Sequence, residues 1–199
     1  MGLLYSFIIP NEPFAINLLF KLIPMVLIIF YAYKQLPRKR KITHWLIMIG
    51  LFICMIGDGT LRWFIVGLSA FLIGHLFYIA GFLMQYKFSV IRFLAIIPLI
   101  VFCVVIGNKL VTNLNITGNE TLIIPVLFYI TAIALMLFLA IMTGNIWVSV
   151  GSILFVISDS ILAWNKFIDP VVFSGQLIMI TYYSAQFFIA HSMKTIVRE

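Results

Sequence analysis

The sequence predicts an all-α integral membrane protein, a bundle of about seven transmembrane helices that forms one polytopic domain over residues 1–199. Three observations predict it. Of the 199 residues, 64% are hydrophobic and only 10% charged, whereas ordinary soluble domains carry roughly a quarter charged residues. Apolar runs of about 20 residues, the length that spans the hydrocarbon layer as a helix, follow one another with short connections. Basic residues gather in alternate connections, the signature of membrane topology.

The predicted spans are Phe14–Tyr33, Thr43–Leu61, Trp63–Met84, Ser89–Gly107, Thr121–Met142, Ile146–Asn165 and Phe173–Met193. Met1–Pro13 has neither a basic n-region nor a small-residue cleavage site, so it does not read as a signal peptide, and it lacks the apolar length for an eighth span. Connections after the first, third, fifth and seventh spans hold Lys34, Arg38, Lys39, Arg40, Lys41, Lys87, Arg92, Lys194 and Arg198. The opposite side holds Arg62, Lys109 and Lys166. Nine against three makes the first side cytoplasmic, which places the N-terminus outside and the C-terminus inside. The formal charge of +7 is thereby a matter of topology and gives no reason to expect a nucleic-acid partner. Asn108–Glu120 reads as the longest outer loop, with sequon matches at Asn115 and Asn119 that matter only in a eukaryotic secretory pathway. Cys54 and Cys103 each lie in an apolar run, where a free cysteine behaves as a small hydrophobe, and imply neither a disulfide framework nor a thiolate zinc site. Trp45, Trp63 and Trp147 stand at span ends, as interfacial residues do.

Two stretches look alike, Gly57-Asp58-Gly59-Thr60-Leu61-Arg62-Trp63 and Ser158-Asp159-Ser160-Ile161-Leu162-Ala163-Trp164. They suggest a parallel internal repeat of three helices, one linking helix and three helices.

Ionisable side chains within spans are expensive and are functional candidates by default. They are Lys21, Asp58, His75 and Asp159, with polar support from Asn17, Tyr78, Tyr182, Tyr183 and Gln186. A rise of about 1.5 Å per residue puts Lys21 and Asp159 roughly 10 Å below the outer surface, Asp58 slightly shallower and His75 about 18 Å down. Asn17 and Lys21, His75 and Tyr78, Tyr182 and Gln186, and Ser152 and Asp159 share helix faces, so these groups are expected to converge on one polar pocket that opens outward. Structural alternatives exist for each: Lys21 snorkelling to the headgroups, Asp58 ending its helix near water, His75 bonded to a carbonyl, Asp159 in a packing role. The aromatic stripe of Phe71, Phe77, Phe82, Phe187 and Phe188 reads as packing and lipid contact. A catalytic zinc needs several imidazoles at one level, yet His44 and His191 fall at the cytoplasmic ends and His75 lies deeper. No phosphate-cradling loop or nucleophile elbow is present.

Gly57-Asp58-x-x-Leu61, Gly74-His75-x-x-Tyr78, Gly151-x-x-Leu154-Phe155-x-x-Ser158-Asp159-x-x-Leu162-Ala163 and Tyr182-Tyr183-x-Ala185-Gln186 resemble the signature blocks of the YhhN-like lysoplasmalogenase family. Lys21-Leu22-Ile23-Pro24-Met25 is similar to the family's Lys-Pro stretch, with the proline displaced by two positions. The resemblance runs from about Lys21 to His191. It implies hydrolysis of the vinyl ether bond of lysoplasmalogens to a fatty aldehyde and glycerophosphoethanolamine or glycerophosphocholine, with no metal or organic cofactor. Its members often carry eight spans.

Vinyl ether hydrolysis requires an acid to protonate carbon, a base for water and a negative field for the oxocarbenium ion. Two buried carboxyls beside a lysine tend to share a proton, the arrangement of two-carboxylate glycoside chemistry. Asp159 is the expected acid and Asp58 the base or cation stabiliser, with the reverse assignment open. Lys21, His75, Tyr78, Tyr182 and Gln186 are expected to orient water and the ether oxygen. The expected partners are the lysophospholipid substrate and the bilayer, in the inner membrane of a bacterium or an endoplasmic-reticulum-type membrane of a eukaryote. The competing reading is a small-solute transporter, which a three-one-three helix arrangement with polar groups near the midplane also suits.

Overall fold

The computed structural model describes residues 14–197. The expectations for Met1–Pro13, for Arg198 and for the side chain of Asn17 lie outside the described residues. Seven long helices account for the fold, with no strand among the described residues: α1 (Phe14–Lys34), α2 (Ile42–Thr60), α3 (Phe64–Leu83), α4 (Ile96–Ile116), α5 (Ile123–Thr143), α6 (Ile146–Phe167) and α7 (Ser174–His191). A one-turn helix, Val90–Phe93, leads into α4, and a 3-10 turn, Glu120–Leu122, leads into α5. Five segments are long and apolar enough to cross a membrane: Ile42–Thr60, Phe64–Leu83, Val90–Ile116, Glu120–Thr143 and Ile146–Phe167.

Local chemistry explains the helix ends. Pro98 and Pro125 each fall in the first turn of a helix, where a missing N–H costs nothing. Asn145 caps α6, its side-chain oxygen accepting from the backbone N–H groups of Trp147 at 3.0 Å and Val148 at 3.3 Å, a contribution of about 1 kcal/mol. The fourth span departs from expectation. Its helix continues through Ile116 rather than stopping at Gly107, so most of the expected loop Asn108–Glu120 is helical. Leu110 and Leu114, spaced i,i+4, bury themselves with Val126 and Ile130 of α5, and Asn113 donates to the Phe167 carbonyl at the end of α6. Those contacts outweigh the turn preference of the Asn-rich sequence.

The bundle closes as a ring. α2 packs on α3, α3 on α5, α5 on α6, α6 on α7 and α7 back on α1, which packs on α2; α4 lies outside the ring against α5 and α6. Gly50 and Gly151 permit close approaches between helices. A Cβ at Gly50 would stand 2.5 Å from the Tyr78 ring, and one at Gly151 would stand 2.9 Å from the Ala185 carbonyl oxygen, so each seats a neighbouring helix against bare backbone. The central core runs through Met25, Leu51, Cys54, Phe71, Tyr78, Met136, Phe155 and Ile189. The outer surface carries large apolar side chains such as Leu27, Phe52, Ile91, Ile97, Ile124 and Phe128, far more than a water-facing monomer exposes.

Hydrogen bonds tie the connections at one end together. Gln85 donates to Thr43 at 3.0 Å, the Lys87 amide donates to the Met142 carbonyl at 3.1 Å, and Asn145 donates to Thr195 at 2.9 Å. The connections after α1, α3, α5 and α7 therefore share that end, together with the basic run Lys34–Lys41, Lys87, Arg92 and Lys194.

Candidate functional site

Two carboxylate and tyrosine pairs sit inside the helix ring. On α6, Asp159 accepts a 2.5 Å hydrogen bond from the Tyr129 hydroxyl of α5. His75 of α3 brings Nε2 to 3.9 Å from the same carboxylate oxygen, within ion-pair reach but beyond a hydrogen bond. On α2, Asp58 accepts at 2.9 Å from the Tyr182 hydroxyl of α7, which also lies 3.4 Å from the Cys54 carbonyl. Phe155 stands between the pairs, edge-on to His75 with ring centroids 4.6 Å apart and edge-on to Tyr182 at 5.5 Å.

One turn toward the basic end, Tyr78 donates to the Gln186 side-chain oxygen at 2.7 Å. His75, Tyr78 and Gln186 are completely buried, and Asp58 and Tyr182 nearly so. Among the described residues, both ring nitrogens of His75, the Ser152 hydroxyl and the Gln186 amide nitrogen are buried without a hydrogen-bond partner. Lys21 lies within coulombic reach of Asp58, as does Asp159, and the Lys21 backbone carbonyl accepts from the Tyr183 hydroxyl at 2.9 Å.

The expected single pocket is replaced by a more divided arrangement. An apolar cleft between α3, α4, α5 and α6 is lined by Phe64, Leu68, Phe102, Ile106, Leu110, Val126, Tyr129, Ile130, Ile133, Val156, Asp159, Ser160, Leu162, Ala163 and Phe167. Of the predicted site residues only Asp159 lines it. Asp58, His75, Tyr78, Tyr182 and Gln186 lie behind, because Phe155 fills the space through which one shared pocket would pass. A neighbouring cleft shares Phe64, Leu68, Val126, Tyr129 and Phe167 and adds Ile65 and Phe128, both exposed on the outer surface. The recess beside Asp159 thus continues to the surface between α3 and α5.

Tyr129 was not anticipated from the sequence. It is one hydroxyl in the apolar run of α5, and the available signal was its place on the inward stripe Val126, Tyr129, Ile133 and Met136 at helical spacing. His44 and His191 stand at the basic end, His44 against the Lys41 backbone and His191 at 2.6 Å from the Tyr31 hydroxyl. Among the described residues, no three His, Cys, Asp or Glu side chains gather in a way that could hold a metal ion.

No solved structure matches the chain. Lysoplasmalogenase TMEM86B of Mus musculus is 26% identical over 180 residues, covering 88% of this chain and 74% of its own length. Lysoplasmalogenase TMEM86A of Bos taurus is 32% identical over 161 residues, covering 73% of this chain and 64% of its own. A lysoplasmalogenase of Mycobacterium bovis is 32% identical over 107 residues, covering 53% of this chain and 41% of its own. The YhhN family model matches residues 16–193. That match runs from the first turn of α1 to the end of α7 and takes in both carboxylate and tyrosine pairs, so the chain belongs to the YhhN family.

Proposed function

We propose that the protein is a membrane-embedded lysoplasmalogenase that hydrolyses the vinyl ether bond of lysoplasmalogens to a fatty aldehyde and glycerophosphoethanolamine or glycerophosphocholine. The observation that carries this reading is Asp159, a carboxyl held by Tyr129 at the wall of an apolar cleft that reaches the lipid-facing surface. A lipid's vinyl ether enters from the side, its hydrocarbon solvated by the cleft, and meets that acid without passing through water.

The reaction balances with side chains and one water. Asp159 protonates the β-carbon of the vinyl ether, and the electron pair of the double bond forms the new C–H bond while the ether oxygen takes up positive charge. Water adds to the oxocarbenium carbon and gives up a proton to the Asp159 carboxylate just formed, which restores the acid, while Asp58 behind Phe155 supplies negative field for the cation. The hemiacetal then collapses: its O–H proton passes to the glycerol oxygen as that C–O bond breaks, so the glycerol leaves as an alcohol and the C=O of the aldehyde forms. Tyr129 holds one oxygen of Asp159 and directs the other toward the cleft. Tyr182 holds the second carboxyl, His75 stands beside Asp159, Tyr78 and Gln186 brace the layer behind them, and Lys21 offsets the charge of Asp58.

We further read all seven helices as spans, with the end that holds Lys34–Lys41 in the cytoplasm and the N-terminus outside. The shared position of alternate connections and their basic residues supports this. The ring order supports two parallel three-helix halves, α1–α3 and α5–α7, since α1 to α2 to α3 and α5 to α6 to α7 pack in the same sequence and each half closes on the other. The transporter reading has no comparable support: α2, α3, α5, α6 and α7, which carry the two carboxylate and tyrosine pairs with His75 and Gln186, run unbroken.

The test is aldehyde release from lysoplasmenyl lipid by the purified protein. Stoichiometric aldehyde is expected, and none from the acyl-ester lysolipid of the same chain length. Release from neither overturns the activity.

A further inference from the structure

We propose that a single lysophospholipid is bound along α6 in a defined direction, its hydrocarbon in the cleft behind Ala163 and its phosphate on Lys109 and Lys166. The proposal deepens the lysoplasmalogenase reading by assigning a headgroup site.

Both lysines are exposed, yet each is folded over an aromatic ring beside the cleft. Lys166 Nζ stands 5.2 Å from the ring centre of Phe64, and Lys109 Nζ stands 4.7 Å from that of Trp164. Phe64 packs edge-on against Phe167 at 5.5 Å, and both line the cleft. Asn113 donates to the Phe167 carbonyl, which fixes α4 and its Lys109 against the end of α6. Neither lysine has a carboxylate partner among the described residues, so two cations flank the end of an apolar recess whose wall carries Asp159.

Spacing then sets direction. Seven residues separate Asp159 from Lys166, an axial rise of about 10 Å. In a lysoplasmalogen five bonds separate the ether oxygen from phosphorus, and with a hydrogen-bond contact at each end the reach is roughly 10–12 Å. A phosphate on the lysines therefore puts the vinyl ether at Asp159 and sends the hydrocarbon further in, toward Val156 and Ile133. The opposite direction would leave the phosphate in the apolar interior without a cation, at a cost of several kcal/mol.

The probes are 1-O-hexadecyl lysophosphocholine, a saturated ether that cannot be cleaved, and 1-O-hexadecylglycerol, which lacks the phosphate. Each is titrated against the full chain in detergent. The Lys109→Gln/Lys166→Gln variant should bind the phosphocholine about tenfold more weakly, with a loss that shrinks as salt rises, and should bind hexadecylglycerol as the unaltered chain does. Equal weakening of both probes, or of neither, overturns the phosphate contact. Ala163→Phe should weaken both probes by tenfold or more, and unchanged binding of both overturns the placement of the hydrocarbon. Inorganic phosphate alone should not displace the phosphocholine at matched concentration; displacement would make this an anion site without lipid and overturn the proposal. Since neither probe is cleaved, a chain that binds as expected yet releases no aldehyde from lysoplasmenyl lipid refutes the activity and leaves the site standing.

Discussion

Replacing Asp159 by Asn separates a catalytic acid from a structural carboxyl. The substitution keeps shape, and the amide oxygen can still accept from Tyr129, so the 2.5 Å contact and the ring contact of His75 with Phe155 persist. What disappears is the proton that a carboxyl can give to carbon. General acid catalysis contributes about 10²–10⁴-fold, so kcat for aldehyde release should fall by at least about 10², with little change in the binding of a saturated ether analogue. Stability should move the other way. An Asp deep in the bilayer costs about 2.5–3.5 kcal/mol on insertion scales, and its side chain here is 12% exposed with one short hydrogen bond. The Asn protein should therefore melt at or above the temperature of the unaltered chain. Asp58→Asn should also impair turnover, and the double variant should lose less than the product of the two single losses if the carboxyls act as a unit. The assay is single-turnover aldehyde release alongside thermal unfolding in the same detergent. A well-folded Asp159→Asn protein with near-normal turnover would falsify the acid assignment.

Tyr129→Phe removes the hydrogen bond that strengthens as Asp159 gives up its proton and becomes a carboxylate, and a bond to a charged group is worth about 1.5–3 kcal/mol, so turnover should drop roughly 10–100-fold while melting of the resting, protonated form changes less; steady-state kinetics against lysoplasmenyl lipid check it. Gly151→Ala should destabilise by about 1–3 kcal/mol, because the new Cβ meets the Ala185 carbonyl oxygen at 2.9 Å and the Ile189 amide nitrogen at 3.1 Å, backbone that cannot give way. Gly59→Ala, whose Cβ meets only Leu18 and Leu22 side chains at 4.0 Å, should be neutral or slightly stabilising, and paired thermal melts decide between these outcomes. A cysteine placed at Lys39 in a chain lacking Cys54 and Cys103 should resist an impermeant thiol reagent on intact cells and react once they are opened; labelling on intact cells would invert the topology.

The inward face of each helix was legible in the sequence, whereas the packing between helices was not. Shared helix faces and the expense of charge in lipid turned Asp58, Asp159 and His75 toward the bundle interior, where the structure has them, and hydropathy located α2, α3 and α6 to within a few residues. The relative rotation of helices depends on which side chains interpose, and Phe155 looked like one more apolar residue among many. Its ring is what stands between the cleft beside Asp159 and the enclosed pair of Asp58 and Tyr182. The same blindness hid Tyr129, which joins the site only because α5 turns that face toward α6. The α4 extension was misread for the converse reason. Asn108, Asn113 and Asn115 favour turns when local preference decides, but Leu110 and Leu114 find buried partners on α5, and tertiary packing overrides a weak propensity.

On the two-half reading, the site's chemistry originates in one broken symmetry. Gly50 and Asp58 are eight residues apart, as are Gly151 and Asp159, and each glycine seats the third helix of its own half, Gly50 against Tyr78 and Gly151 against Ala185 and Ile189. Equivalent carboxyls would begin with equivalent surroundings. α4 has no counterpart, and it packs chiefly against α5 and α6, so a cleft forms beside Asp159 with Phe102, Ile106 and Leu110 of α4 as one wall. Asp58 has no such wall. It stays closed within the ring, held by Tyr182 from the other half. One carboxyl consequently borders the cleft while its twin is enclosed in the ring, and on the proposed mechanism that difference in setting assigns Asp159 the task of acid and Asp58 that of cation stabiliser.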